Sequence, residues 1–203
     1  MRGVVGWADL AATDAVETLT RLARDPLLKS IRPMLQDLAD PDWILRDDVG
    51  RSLSALPGLG LRLDALVKPP QLPALLRLAE RHPHLPIVID HGGKPAIAAG
   101  GWEPWARLVA ALARYPRVEC KLSGLVTEAG PEWTTATLGR YVDHLLACFG
   151  PGRLLWGSDW PVVDLGGGYR RWVGATAALL SGLPDADRAA ILGGNACRFY
   201  GLR

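Results

Sequence analysis

The sequence predicts a parallel α/β protein built from six strand–helix units. Short apolar segments alternate with amphipathic helical segments along the 203 residues. No Asn-Gly or similar two-residue hairpin turn joins the apolar segments, so consecutive strands are expected to pair in parallel through helical crossovers. The predicted strand ends recur about every 30 residues, a spacing typical of such units. Because no change of composition and no Ser/Gly-rich linker divides the chain, residues 1–203 are predicted to form a single domain.

The strands are predicted from short apolar or β-branched runs bounded by turn residues. The clearest is Leu-Pro-Ile-Val-Ile-Asp, which is uncharged until its last residue, as expected of a strand buried on both faces. The six predicted strands cover residues 3–8, 28–35, 60–67, 85–90, 117–122 and 153–157.

The helices between them are predicted from apolar residues at helical spacing. Thr13 is a candidate N-cap of the first helix, and Asp25-Pro26 ends it. Pro41 precedes the second helix, and His82-Pro83 ends the third. The predicted helices cover residues 13–24, 42–53, 71–81, 105–115, 133–149, 169–180 and 185–192.

Six units leave two architectures open. A barrel of eight units at this spacing needs roughly 240 residues. The chain is therefore either an open parallel sheet or a barrel that lacks two units. Open sheets of this type usually carry a glycine-rich phosphate-binding turn, but neither G-x-G-x-x-G nor a P-loop follows a predicted strand. We therefore expect no nucleotide cofactor.

Composition and charge argue against several classes of function. The 23 Lys and Arg residues nearly balance the 21 Asp and Glu residues, which disfavours a nucleic-acid-binding surface. No apolar run reaches the roughly 18 residues of a membrane span. The first residues reach Asp9 too early to form a signal peptide. The three cysteines contain no C-x-x-C pair and are predicted to be reduced thiols of a cytoplasmic protein.

Two polar residues at predicted strand ends are the principal candidates for catalysis, because parallel α/β folds place their chemistry at that edge. His91 follows the clearest buried strand, where an imidazole can ligate a metal, exchange a proton or donate to an oxyanion. Its ring could instead simply bond a loop carbonyl. Asp159, in Gly-Ser-Asp-Trp-Pro, could be a general base or a metal ligand, or only a helix cap or turn residue.

Other strand-end residues are candidates for binding a substrate. Lys121 could hold a carbonyl or anionic oxygen, or could only extend its ammonium group to solvent. Arg32 lies inside a predicted strand and needs a carboxylate partner, from the protein or from a substrate. Trp160 could form the wall for a sugar-like ring. The aromatic C-terminal segment 195–202 is predicted to seal one end of the fold.

Seven segments, taken in order, resemble the amidohydrolase-related family that contains the sugar-lactone hydrolases. Each segment alone is weak evidence for the family, but seven segments in the same order are specific for it. The resemblance implies a distorted (β/α)8 barrel of the amidohydrolase type and the hydrolysis of a small-molecule sugar lactone in carbohydrate metabolism. The segments are residues 3–7, 31–33, 71–73, 90–95, 120–125, 157–161 and 195–202.

The resemblance also implies roles for individual residues. Asp159 would activate water, and His91 would polarise the lactone carbonyl, either directly or through one divalent, zinc-like metal ion that His91 and Asp159 bind. The substrate would be held by Arg32, Lys121, Trp160 and Lys94. A metal-dependent decarboxylase of the same superfamily is an alternative, because it shares the Gly-Ser-Asp stretch.

One departure from the family pattern is expected to matter. The family begins with a strand that ends in His-x-His, whereas no histidine precedes His82. The first residues resemble the third family strand, so the first two βα units are expected to be missing. His91 and Asp159 alone would leave a zinc site incomplete, since catalytic zinc typically has three protein ligands. The chain could then be a truncated lactonase or an inactive remnant, and its open sheet edges would favour homo-oligomers.

Overall fold

The computed structural model of this protein describes residues 1–202, which form a six-stranded sheet. Each strand pairs in parallel with the next, in the order β1-β2-β3-β4-β5-β6. The prediction of six parallel units is therefore confirmed. The strands are β1 (Val4–Gly6), β2 (Leu28–Ile31), β3 (Arg62–Ala65), β4 (Ile87–Ile89), β5 (Val118–Leu122) and β6 (Leu154–Trp156).

All seven predicted helices are present, and two short ones were not predicted. The first begins after Asp14 rather than Thr13, and the second begins late because Trp43–Leu45 forms a separate 3-10 turn. The unpredicted helices are α5 and α9. The set is α1 (Ala15–Leu22), α2 (Asp47–Ala55), α3 (Leu72–Arg81), α4 (Trp105–Leu112), α5 (Leu125–Ala129), α6 (Thr135–Phe149), α7 (Tyr169–Leu179), α8 (Asp185–Ala189) and α9 (Asn195–Tyr200).

The two faces of the sheet differ in polarity because alternate side chains of a strand point to opposite faces. One set packs in the main core with the helices, as Ile87, Ile89 and Cys120 do. The alternate positions face the concave side, where Val88 packs in a separate small cluster and Lys121 lines a cavity. Most helices thus cover the outer face of the sheet, and part of the concave face carries polar groups.

The sheet is curled. Val4 and Val5 of β1 line the same cavity as Leu155 and Trp156 of β6, although these strands lie at opposite edges of the sheet. Edge strands can share a cavity only if the sheet bends towards itself, so the six strands form a half-barrel. This confirms the barrel-type fold and excludes the open, flat sheet.

Helix α9 packs against the concave face at the amino ends of the strands. The Arg198 guanidinium donates to both carboxylate oxygens of Glu119 in β5, at 2.7 and 3.0 Å. Arg62 Nε, in β3, donates to the Phe199 carbonyl at 2.6 Å. Phe199 itself packs against Val88. The C-terminal segment therefore seals this end, as predicted.

Several features lie away from the cavity. Cys120 is buried, and it and the other two cysteines are free thiols. His144 of α6 is partly buried, and its Nε2 atom lies 2.9 Å from the Ala106 carbonyl oxygen. Across residues 1–202, we find no helix with both the length and the apolar character to cross a membrane.

Candidate active site

The half-barrel encloses a cavity of about 470 Å³ on its concave face. Lys94, one of the six residues predicted for a site, lies outside its lining, with Nζ 3.5 Å from Glu128 Oε1. The structure brings the other five together on the cavity wall: Arg32, His91, Lys121, Asp159 and Trp160.

A second groove, of about 600 Å³, lies on the helical side between Trp156 and α7. Its lining is mainly apolar, and Arg188 is the one charged residue among those described there. An acid–base pair is therefore not available in the described part of this groove, and we place the candidate chemistry in the concave cavity.

His91 is held in place by the turn that follows β4. It has a positive φ of 53°, a conformation that is uncommon for a residue with a side chain and that clusters at functional sites. Its ring is nearly buried, with Nδ1 2.9 Å from Ser123 Oγ. Its Nε2 atom lies 3.5 Å from Asp159 Oδ1. The ring thus lies between a hydroxyl group and a carboxylate.

Gly124 allows the His91 ring to approach the end of β5. A Cβ atom at this position would lie 2.6 Å from His91 Cγ and 2.7 Å from its Nδ1 atom. The backbone φ of Gly124 is also positive, at 67°. A side chain would therefore be strained and would displace the imidazole.

Asp159 follows β6 and shares the strained backbone of His91, with a φ of 58°. Its side chain is 15% exposed, so the carboxylate is accessible from the cavity. Trp160 is 69% exposed at the cavity opening, and its backbone N–H donates to Ser158 Oγ at 3.2 Å. The strand end thus presents an acidic group beside a free aromatic surface.

Burial lowers the pKa of His91 to about 4. The Asp159 carboxylate opposes this shift, and the cationic Lys121, Lys94 and Arg32 side chains add to it. The imidazole is consequently neutral near pH ~7. A neutral imidazole beside a carboxylate can donate one hydrogen bond to a developing oxyanion.

This low pKa predicts a pH-dependent stability. An unfolded histidine titrates near pH ~6.5, whereas the pKa of folded His91 is depressed to about 4. The stabilisation that comes from the neutral ring is therefore present above the unfolded pKa and is lost as pH falls towards the folded pKa. Denaturant unfolding between pH ~7 and ~4.5 should show a steeper loss of stability for the wild type than for His91→Gln.

The exposed His84 provides the control, because its ring is not confined by the cavity. The variant His84→Gln should keep the wild-type slope of stability against pH. Equal slopes for the wild type and His91→Gln would contradict the low pKa of His91.

Lys121 is the centre of a buried ionic cluster. Its Nζ atom lies 2.5 Å from Asp64 Oδ2 and 2.7 Å from Asp90 Oδ1, and both carboxylates have zero exposure. Within residues 1–202, neither Asp90 oxygen accepts a hydrogen bond. The burial of this carboxylate is instead offset by its ion pairs with Lys121 and, at 3.6 Å, with Arg32. Tyr200 of α9 donates its hydroxyl hydrogen to Asp64 Oδ2 at 2.7 Å.

The pKa values within this cluster reflect competition between burial and pairing. Burial lowers the pKa of Lys121, but Asp90 and Asp64 outweigh it and raise that pKa above its ordinary value. Burial raises the pKa of Asp64 although Lys121 lowers it. Burial and the neighbouring Asp64 raise the pKa of Tyr200. Lys121 therefore stays charged, donates a hydrogen bond to Asp64 and forms an ion pair with Asp90.

The sequence did not identify three contributors to this arrangement. Ser123 and Asp64 are visible only as polar residues near strand ends, and Tyr200 belongs to a segment interpreted as structural. The sequence does contain one pattern that could have indicated these contributors. In β3 and in β5, two charged residues of opposite sign are two positions apart: Arg62 and Asp64, and Glu119 and Lys121. Residues two apart share a face of a strand, so this pattern indicates a charged concave side.

The donor set does not complete a zinc site. His91 and Asp159 are close to each other, but within residues 1–202 no third His, Cys, Asp or Glu joins them in a group that could hold a metal ion. Catalytic zinc typically has three protein ligands. Because the described residues supply one donor too few, we derive no chemical step through a metal.

The fold and cavity define a barrel-type parallel α/β protein whose polar cavity lies at the carboxyl ends of its strands. A family model described as "Amidohydrolase" matches residues 1–202. The chain belongs to the amidohydrolase family, as the sequence segments indicated.

Individual relatives agree with this assignment. The L-fucono-1,5-lactonase of Burkholderia ambifaria is 49% identical over 202 residues, which are 97% of this chain and 69% of that protein. The L-fucono-1,5-lactonase of Burkholderia multivorans is 36% identical, over 98% of this chain and 71% of that protein. A crystal structure of a B. multivorans amidohydrolase with bound zinc is 37% identical and superposes with a TM-score of 0.92, covering 100% of this chain and 74% of that one.

Proposed function

We propose that this protein hydrolyses a sugar lactone, with L-fucono-1,5-lactone as the first candidate. The observation that carries the proposal is the pairing of His91 Nε2 with Asp159 Oδ1, 3.5 Å apart, on the wall of a cavity that is also lined by cationic side chains. The names of the two lactonase relatives support the substrate class.

In the first step, Asp159 acts as the general base. Its partly exposed carboxylate takes a proton from a water molecule, and the water oxygen forms a bond to the lactone carbonyl carbon. The carbonyl oxygen gains negative charge as its π bond opens. His91, neutral and with one ring N–H, donates a hydrogen bond to that oxygen.

In the second step, the ring opens. The carbonyl re-forms, the bond between the carbonyl carbon and the ring oxygen breaks, and the leaving alkoxide takes the proton held by Asp159. The product is the open-chain hydroxy acid, and Asp159 returns to its ionised form. Water is the only co-reactant, so atoms and charge balance.

The cationic wall would stabilise the intermediate. Arg32 is 41% exposed and lines the cavity, so its guanidinium can reach a substrate oxygen while staying near Asp90. Lys121 is mainly engaged with Asp64 and Asp90, but its side chain also lines the cavity and can donate to a substrate oxygen there. Trp160 offers an exposed aromatic face for the sugar ring. Lys94 is directed to Glu128, so we assign it a weaker part in binding.

The test is a panel of lactones incubated with the purified chain, with acid release followed by a pH indicator. L-Fucono-1,5-lactone and aldonolactones of other ring sizes and configurations are expected to open faster than their spontaneous rate. A simple aliphatic lactone without hydroxyl groups should be a poor substrate. Turnover of none of the lactones would reject the proposal and favour the inactive remnant.

Two further measurements test for decarboxylase activity and for a metal requirement. Carbon dioxide release from an aromatic carboxylate, without lactone opening, would favour the decarboxylase. Treatment with a chelator tests the metal, which the zinc in the solved relative makes a relevant question. We expect lactone opening to persist after chelation, because the proposed steps use only side chains and water; loss of activity with recovery on zinc addition would contradict that route.

A further inference from the structure

The hydroxyl group of Ser123 has one partner among the described residues, the His91 ring. Ser123 is 2% exposed, and its Oγ atom lies 2.9 Å from His91 Nδ1. Residues 1–202 provide no other hydrogen bond to this hydroxyl. A buried O–H group that finds no acceptor costs free energy. Ser123 is therefore expected to be the donor in this hydrogen bond rather than the acceptor.

A neutral imidazole carries its proton on one of two nitrogens, and the surroundings favour one choice. If Nδ1 carries the proton, it donates to Ser123 Oγ, the buried O–H has no acceptor, and the lone pair of Nε2 faces the Asp159 carboxylate. If Nε2 carries the proton, Ser123 donates to Nδ1 and the Nε2–H group points to Asp159 Oδ1 at 3.5 Å. Only the second arrangement gives the buried Ser123 hydroxyl an acceptor and places an N–H group, rather than a lone pair, beside the Asp159 carboxylate.

We propose that Ser123 is a positioning residue that keeps the proton of His91 on Nε2, so that the imidazole presents an N–H donor to the cavity. The consequence for catalysis rests on the proposed function, in which this N–H group polarises the lactone carbonyl. Gly124 supports the same geometry, because its missing side chain lets the ring lie against the end of β5.

Metal binding by His91 would need the opposite tautomer. A histidine that ligates a metal through Nε2 must carry its proton on Nδ1, and Ser123 would then have to accept that bond. The carboxylate beside Nε2 and the lack of a second partner for Ser123 both oppose that tautomer in the described residues.

The experiment measures the tautomer directly, without substrate. Protein labelled with 15N-histidine is examined by long-range 1H–15N correlation at neutral pH, and His91→Gln identifies the His91 signals among the four histidines. The wild type is expected to show a protonated Nε2 and an unprotonated Nδ1. In Ser123→Ala, the signals should shift towards a mixture of tautomers, and kcat should fall about tenfold with a smaller change in KM.

Ser52→Ala is the matched control. Ser52 is also buried, at 1% exposure, and lies away from the cavity. Among the described residues, its hydroxyl forms one hydrogen bond, which it donates to the Leu10 carbonyl at 2.7 Å. This variant should lose a comparable buried hydrogen bond and leave the His91 signals unchanged.

The outcomes are distinct from those of the function test. A wild-type Nδ1–H tautomer, or unchanged His91 signals in Ser123→Ala, would overturn the inference whatever the activity. The expected tautomer in a chain that opens no lactone would preserve the role of Ser123 and reject the proposed function.

Discussion

Asp159→Asn is expected to lower kcat for lactone opening by about 10²–10⁴-fold, with little change in KM. The amide has nearly the shape of the carboxylate, so the cavity still accepts the substrate, but it cannot take a proton from water. The measurement is steady-state kinetics on whichever lactone the panel identifies. Thermal unfolding of the same variant would establish that the fold is retained.

Asp164→Asn gives a matched control within the same loop. Asp164 is exposed and does not belong to the cavity lining, so its replacement should leave kcat within about twofold of the wild type. Near-normal turnover by Asp159→Asn would remove Asp159 from the base role, and a parallel loss in both variants would indicate a loop effect rather than loss of the base.

Lys121→Met is expected to have the largest effect on stability, a loss of about 3–5 kcal/mol at neutral pH. The substitution keeps most of the aliphatic volume but leaves the carboxylates of Asp64 and Asp90, both with zero exposure, without their shared cation. An uncompensated buried charge is far more costly than a lost surface pair. Urea unfolding of the variant and the wild type measures the difference.

The loss should shrink as pH falls. Burial already raises the pKa of Asp64, and removing Lys121 removes the neighbour that lowers it. A carboxyl group with a raised folded pKa favours the folded state below its unfolded pKa, and that contribution is lost as pH rises through the folded pKa. The variant should therefore approach the wild type in acid.

Lys68→Met is the surface comparison. Lys68 is 45% exposed and lies 3.6 Å from Asp37, so this change should cost no more than about 1 kcal/mol. A comparably small loss in Lys121→Met would mean that water or rearrangement compensates Asp64 and Asp90, and the ionic cluster would not be the stabilising feature described above.

The role of Lys121 shows where sequence reasoning reaches its limit. Its position at the end of β5 could be predicted, because it follows an apolar strand in a regular βα pattern. Its partners could not, because Asp64 is 57 residues and Asp90 is 31 residues away along the chain. The parallel pairing and register of β3, β4 and β5 bring these side chains together on the concave face. A candidate substrate ligand thereby becomes the centre of an ionic cluster.

The C-terminal segment also combines a role that the sequence predicted with a contact that it could not predict. Its aromatic composition predicted a sealing role, which Phe199 fulfils. The neighbouring Tyr200 reaches Asp64, a contact across 136 residues of sequence. Local pattern carries no information on such a contact, because it depends on where α9 enters the half-barrel.

The sequence by itself determined the six parallel units, the barrel-type fold and the family, because strand and helix periodicities are local and because the motifs occur in a fixed order. It also indicated His91 and Asp159 as candidate catalytic residues, since polar residues at strand ends gather at one edge of any parallel sheet. The tertiary structure decided the relations between residues: the 3.5 Å approach of His91 to Asp159, the bond to Ser123 and the withdrawal of Lys94 to Glu128. These depend on turn conformation and strand curvature, which are set by packing across the whole chain.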